Sequence, residues 1–137
     1  MEYIGTGDEI PGCEVEAGRL ITAASHLNTA LELLIGINDK LIDGLINFMD
    51  FIEELSTVWN EINKCRIYTQ GSVYFEDLLI PAMGFVNDAK LMLESLVHWN
   101  LGMTLYGKIS ILSSIREAIT GGIGPGINRL ELCMAPF

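Results

Sequence analysis

Apolar positions recur with helical spacing through the middle of the chain and lose that spacing at both ends. Leu20, Ala24, Leu27, Leu31 and Leu34 step by four, three, four and three, which holds them on one helical face. This predicts a first helix from about Glu14 to Ile35, with Gly36 as its C′ glycine and Asn38 or Asp39 capping the next helix. From Asp39 to Arg66 the same alternation runs through Leu41, Leu45, Phe48, Ile52, Leu55, Trp59 and Ile62. Ile42 and Met49 flank that stripe on one side, Phe51 and Val58 on the other. The apolar arc of this second helix is about 200° wide, against ~100° for an ordinary surface helix. Opposite it runs a narrow polar strip of Asp43, Asn47, Asp50, Glu54, Thr57, Glu61 and Lys64.

Tyr68 to Phe75 reads as a loop around Gly71, and a third helix extends to about Asn100. Proline is tolerated in the first turn of a helix and not in its interior. The regular helix is therefore expected to begin near Pro81, with Phe75 to Ile80 as a separate turn or kinked lead-in. Leu78, Phe85, Met92 and Trp99 recur every seven residues on its broad apolar face. A fourth helix is expected from about Met103 to Thr120, faced by Leu105, Ile109, Leu112, Ile115 and Ile119, with a break at Gly102. Residues 1–13 and 121–137 are rich in glycine and proline yet keep apolar side chains, so both read as extended arms with something to bury. The expectation is one all-α domain: a helical body over 14–120, arranged as a four-helix bundle or two packed helical hairpins, with N- and C-terminal arms.

Composition makes this helical body unusual. Of 137 residues, 50% are hydrophobic and only 19% charged, where soluble domains carry about 25%. Mean hydropathy is +0.36. The charges are one-sided, with 18 acidic residues against 8 basic ones and a net charge of −10. Phosphate backbones are bound by clustered Lys and Arg, whereas here only Lys64 and Arg66 are near neighbours, so nucleic acid is not expected as a direct partner. The longest clearly charge-free stretch, Ser95 to Gly107, is 13 residues, shorter than the ~20 of a spanning helix. Met1 to Gly5 lacks the basic and apolar regions of a signal peptide. Virion or cytoplasm is the location these features suggest.

Cys13, Cys65 and Cys133 are far apart and odd in number. Small buried hydrophobes in a reducing compartment account for them. A Cys13–Cys133 bridge stapling the ends is compatible with the sequence and is not fixed by it.

Candidate chemistry is sparse. Glu94 and His98 share a helix face, but a di-iron bundle needs Glu-x-x-His on two helices, which occurs nowhere here. His26 has no carboxylate one turn away. Asp43, Asp50, Glu54 and Glu61 form a carboxylate row that reads as a solvated edge. Gly121 to Gly126 lacks the Gly-Lys-Ser/Thr ending and strand context of a phosphate loop, and reads as a helix stop. Trp59, Trp99, Phe48, Phe51, Phe85 and Tyr106 suit either core packing or an apolar pocket. No catalytic, cofactor or metal residue is assigned.

An apolar face wider than one core needs points to an interface. The expectation is a non-enzymatic structural subunit that packs against copies of itself, most concretely a viral coat or filament protein. Its expected interface comprises Phe51, Val58, Phe85, Met92, Trp99, Tyr106, Ile123, Ile127, Leu130, Leu132 and Phe137. A helical interaction module with a heterologous partner (secreted effector, adaptor or chaperone) is the alternative, and a small apolar-ligand carrier or enzyme the third.

Overall fold

A computed structural model describes residues 10–45 and 47–135. It contains α1 (Ala17–Ile42), α2 (Phe48–Tyr68), α3 (Val73–His98), α4 (Leu105–Ala118), a π-helical turn (Ile119–Ile123) and α5 (Gly124–Met134). The last three are continuous and form one bent fourth rod. Each rod packs on the next in sequence, and the fourth returns to α1 through α5, leaving α2 diagonally across from it. The fold is an all-α antiparallel bundle, with no strand among the described residues.

Two breaks lie elsewhere than expected, for one reason. α1 runs through Gly36 because Leu20, Ala23, Leu27, Ala30, Leu34, Ile37 and Leu41 are buried in one unbroken three-four alternation. A mid-helix glycine costs about 1 kcal/mol. Burying Ile37 and Leu41 contributes ~1.5–3 kcal/mol each, so packing wins. Leu41 thus belongs to α1, and the second helix begins at Phe48 rather than Asp39, with the Asn47 side chain accepting from the Asp50 N–H. Likewise α3 begins at Val73, capped by Ser72, and carries Pro81 inside it. Phe75 and Leu79 share the buried phase of Ala82, Val86, Ala89 and Leu93, so the lead-in is helix and the proline sits on its exposed side.

The broad apolar arc of α2 resolves into one buried line, Phe51, Leu55, Val58, Ile62 and Cys65, with Trp59 left at its edge. On α4 the buried line is Gly107, Ile111, Ile115 and Ala118. Leu105 and Ile109, expected inside, face solvent.

The C-terminal arm is the largest correction. Residues 121–134 are helical, and Ile123, Ile127 and Leu130 are core residues. The glycines permit this by letting backbones approach. A Cβ on Gly122 would lie 2.7 Å from the Leu78 carbonyl oxygen, and one on Gly126 would lie 2.9 Å from a Leu27 methyl. Pro125 lies in the first turn of α5, directly after the π turn. Of the expected N-terminal arm, residues 1–9 lie outside the described residues.

Cys13 and Cys133, 120 positions apart in sequence, form a disulfide with Cα atoms 5.0 Å apart. The reading of free cysteines in a reducing compartment is corrected for this pair; Cys65 alone is free and buried. Arg129 reinforces the same clamp: its guanidinium donates to the Pro11 carbonyl and stands 3.9 Å above the Tyr74 ring. Gly12 has φ +97° and leaves no room for a Cβ, which would stand 2.6 Å from the Phe75 ring. Finally, α1 is by length and composition long and apolar enough to cross a bilayer, contrary to expectation. In this fold its apolar seam is the spine of the core.

Candidate functional site

α1 and α3 run the same way, so the α1–α2 and α3–α4 connections lie at one end of the bundle. Both helices close alike. The Gly44 N–H bonds the Leu41 carbonyl and the Leu45 N–H the Lys40 carbonyl; the Asn100 N–H bonds the Val97 carbonyl and the Leu101 N–H the Leu96 carbonyl. These are paired Schellman closures, with Gly44 at φ +79° and Asn100 at φ 55° in the left-handed position. Each sends an apolar residue, Leu45 or Leu101, outward past the helix end, and both are exposed.

Further apolar side chains collect there. Ile42 and Met49 flank Leu45, and Trp99, Leu105, Tyr106 and Ile109 surround Leu101 in sequence, all exposed. Trp99 and Tyr106 are 70% and 74% exposed. At ~150–250 Å² per aromatic side chain, these two alone leave on the order of 300 Å² bare. That matches the size of the largest patch on a typical monomer before the other residues are added. His98 lies edge-on to Trp99, with ring centroids 5.0 Å apart. Lys40 reaches Glu54 at 3.9 Å on the α1–α2 side.

The expected interface residues divide sharply. Phe51, Val58, Ile123, Ile127 and Leu130 are buried in the core and cannot meet a neighbour. Phe85 and Met92 are half-buried against the core. Trp99 and Tyr106 belong to the apolar end, whereas Leu132 is exposed near the close of α5, at the opposite end. Phe137 lies outside the described residues. Leu45, Leu105 and Ile109 were missed as surface residues because their spacing continued the helical stripes, and Leu101 fell in the break between two expected helices. The available signal was a left-handed stop, Gly44 or Asn100, followed directly by a leucine.

Other polar groups are placed for structure. His26 Nδ1 donates to Glu61 Oε1 at 2.9 Å, an α1–α2 contact that local spacing could not show, and Lys64 adds a bond at 3.2 Å. Burial pulls the Glu61 carboxyl upward, but the bonds from His26 and Lys64 outweigh it and hold the group below its ordinary value. The carboxylate row is dispersed: Asp43 caps α1, Glu54 pairs with Lys40, and Asp50 stands in the first turn of α2. Glu94 and His98 are both exposed. Among the described residues no group of three His, Cys, Asp or Glu side chains is arranged to hold a metal. Burial pushes the Cys65 thiol up to about 12, so it is not a nucleophile. The six aromatic residues do not share one pocket: Phe51 is in the core and Trp59 lies between α2 and α3, while Trp99 and Tyr106 stand at the apolar end.

Fold and surface together define a disulfide-clamped helical bundle with exposed apolar side chains gathered around Leu45 and Leu101 at one end and a further set, Ile67, Val73 and Leu132, at the other. No family model matches the chain, and no curated protein or solved structure is detectably similar to it.

Proposed function

We propose that the protein is a non-enzymatic structural subunit that associates with copies of itself through the apolar end of its bundle, as the subunit of a coat or filament. The observation that carries this reading is the paired closure presenting Leu45 and Leu101 amid exposed Trp99, Leu105 and Tyr106. Water contact with this surface is unfavourable by ~25 cal/mol per Å², and a like surface on a second copy removes it. Head-to-head contact closes a dimer. Contact with the opposite end, where Ile67, Val73 and Leu132 are exposed, propagates a filament.

Light scattering after size exclusion, with electron microscopy of the same fractions, tests this. Oligomers or regular particles are expected at micromolar concentration, and Trp99→Glu with Tyr106→Glu should dissolve them while helicity is retained. A monomer at every concentration sinks the proposal. That result would favour a heterologous partner instead, a reading supported by the Cys13–Cys133 bridge, since disulfides persist in oxidising compartments where secreted interaction modules work.

A further inference from the structure

Along the outer seam between α2 and α3 lie two hollows of about 510 and 240 Å³, which share Trp59 and Asn87 and so form one groove. Its volume is in the range of small-molecule sites. Its lining is basic, although Glu76 stands 3.4 Å from the Arg66 guanidinium and offsets part of that charge. The chain has 18 acidic residues and 8 basic ones, yet no carboxylate lines the groove, while Arg66 and Lys90 both do. Trp59 stands between them with 37% of its surface exposed. Gly84 borders the open space, since an added Cβ there would touch nothing within 4 Å.

Arg66 is poised rather than saturated. It bonds Asn63 Oδ1 at 3.3 and 3.4 Å and Glu76 Oε1 at 3.4 Å, all at the long limit for a hydrogen bond. A guanidinium has five N–H donors in a planar fork suited to a carboxylate. Its side chain is 35% exposed, so a ligand can reach it. Asn63 and Asn87, on opposite walls, add carboxamides that can bond a planar ligand's edge.

We propose that this groove binds a small planar aromatic anion, with the ring on Trp59 and the carboxylate on Arg66. The site is separate from the apolar end, and its test does not depend on self-association.

The experiment is a titration of the ¹⁵N-labelled full chain with 2-naphthoate and, separately, with its neutral counterpart 2-naphthamide. It follows the indole N–H signals of Trp59 and Trp99 and the side-chain amides of Asn63 and Asn87. Saturable shifts are expected at Trp59, Asn63 and Asn87 with Trp99 unmoved, and naphthamide should bind at least tenfold more weakly. Arg66→Gln should weaken naphthoate about tenfold and leave naphthamide unchanged. Equal binding of the two ligands, shifts centred on Trp99, or no saturation would each overturn the proposal. The ligand pair decides even if Arg66→Gln fails to fold.

Discussion

Gly122 packs directly against Ala82: a Cβ added to the glycine would stand 2.6 Å from the alanine Cβ and 2.7 Å from the Leu78 carbonyl oxygen. This is where the π turn of the fourth rod meets α3, one residue past Pro81. Small residues on both sides set the approach. Gly122→Ala forces backbone atoms apart and should destabilise by ~1–3 kcal/mol, the usual range for overpacking. Gly121 is the internal control, since nothing lies within 4 Å of its added Cβ. Gly121→Ala should be neutral or stabilising by up to about 1 kcal/mol. Urea unfolding of the two variants reads the contrast, and equal stabilities would show that the contact is slack.

The Cys13–Cys133 bridge joins the turn before α1 to the end of α5. Closing a loop of this length removes about 4–5 kcal/mol of unfolded-chain entropy in the simplest treatment, and loss of such a bridge costs ~2–5 kcal/mol in small domains. Reduction with dithiothreitol should therefore lower the denaturation midpoint markedly, and Cys13→Ser with Cys133→Ser should match it without reductant. Thiol titration of the native oxidised protein should find no reactive group, because Cys65 is buried. A stability indifferent to reductant would mean that Arg129 and the core already hold the ends.

Glu61 gives the fold a pH dependence of definite sign. Its carboxyl is held below the ordinary value in the folded protein. A depressed carboxyl contributes stability that is present above its unfolded value, near ~4.3, and is lost as pH falls through the lower folded value. Wild type should therefore exceed Glu61→Gln in stability at pH 6, with the gap narrowing as pH drops below about 4. Thermal unfolding of both proteins from pH 3 to 7 measures it. A gap that stays constant across that range would locate the effect in packing rather than ionisation.

The helical class was legible because periodicity survives without tertiary information, but the buried seams are shifted from the expected stripes: Phe51 and Val58 replace Phe48, Ile52 and Trp59 on α2, and Leu79, Ala82, Val86, Ala89 and Leu93 replace Leu78, Phe85, Met92 and Trp99 on α3. What local pattern could not supply was phase and extent. Gly36 and Pro81 carry the ordinary chemistry of helix boundaries, and only the burial of Ile37, Leu41, Phe75 and Leu79 across them shows why neither acts as one. The run from Gly121 to Gly126 misled most, since glycine that permits a close crossing looks in sequence like glycine that ends a helix. The apolar end was half visible, in Trp99 and Tyr106. Leu45 and Leu105 were hidden because a helix-spaced leucine reads as core until the chain turn is placed. The His26–Glu61 bond spans 35 residues and left no local trace.

Truncation at residue 120 separates an arm from a core element. An arm that clasps neighbours can be removed with loss of assembly alone. Here the same cut deletes Ile123, Ile127 and Leu130, all in the core, and with them Cys133 and Arg129, which hold the N-terminal turn. Each lost buried aliphatic side chain costs ~2–5 kcal/mol when truncated, and total stabilities are only about 5–15 kcal/mol. The shortened chain should therefore fail to fold cooperatively, giving a broad, low-amplitude thermal transition by circular dichroism. If the 1–120 chain instead melts sharply and merely stops associating, α5 is dispensable to the core and acts between subunits.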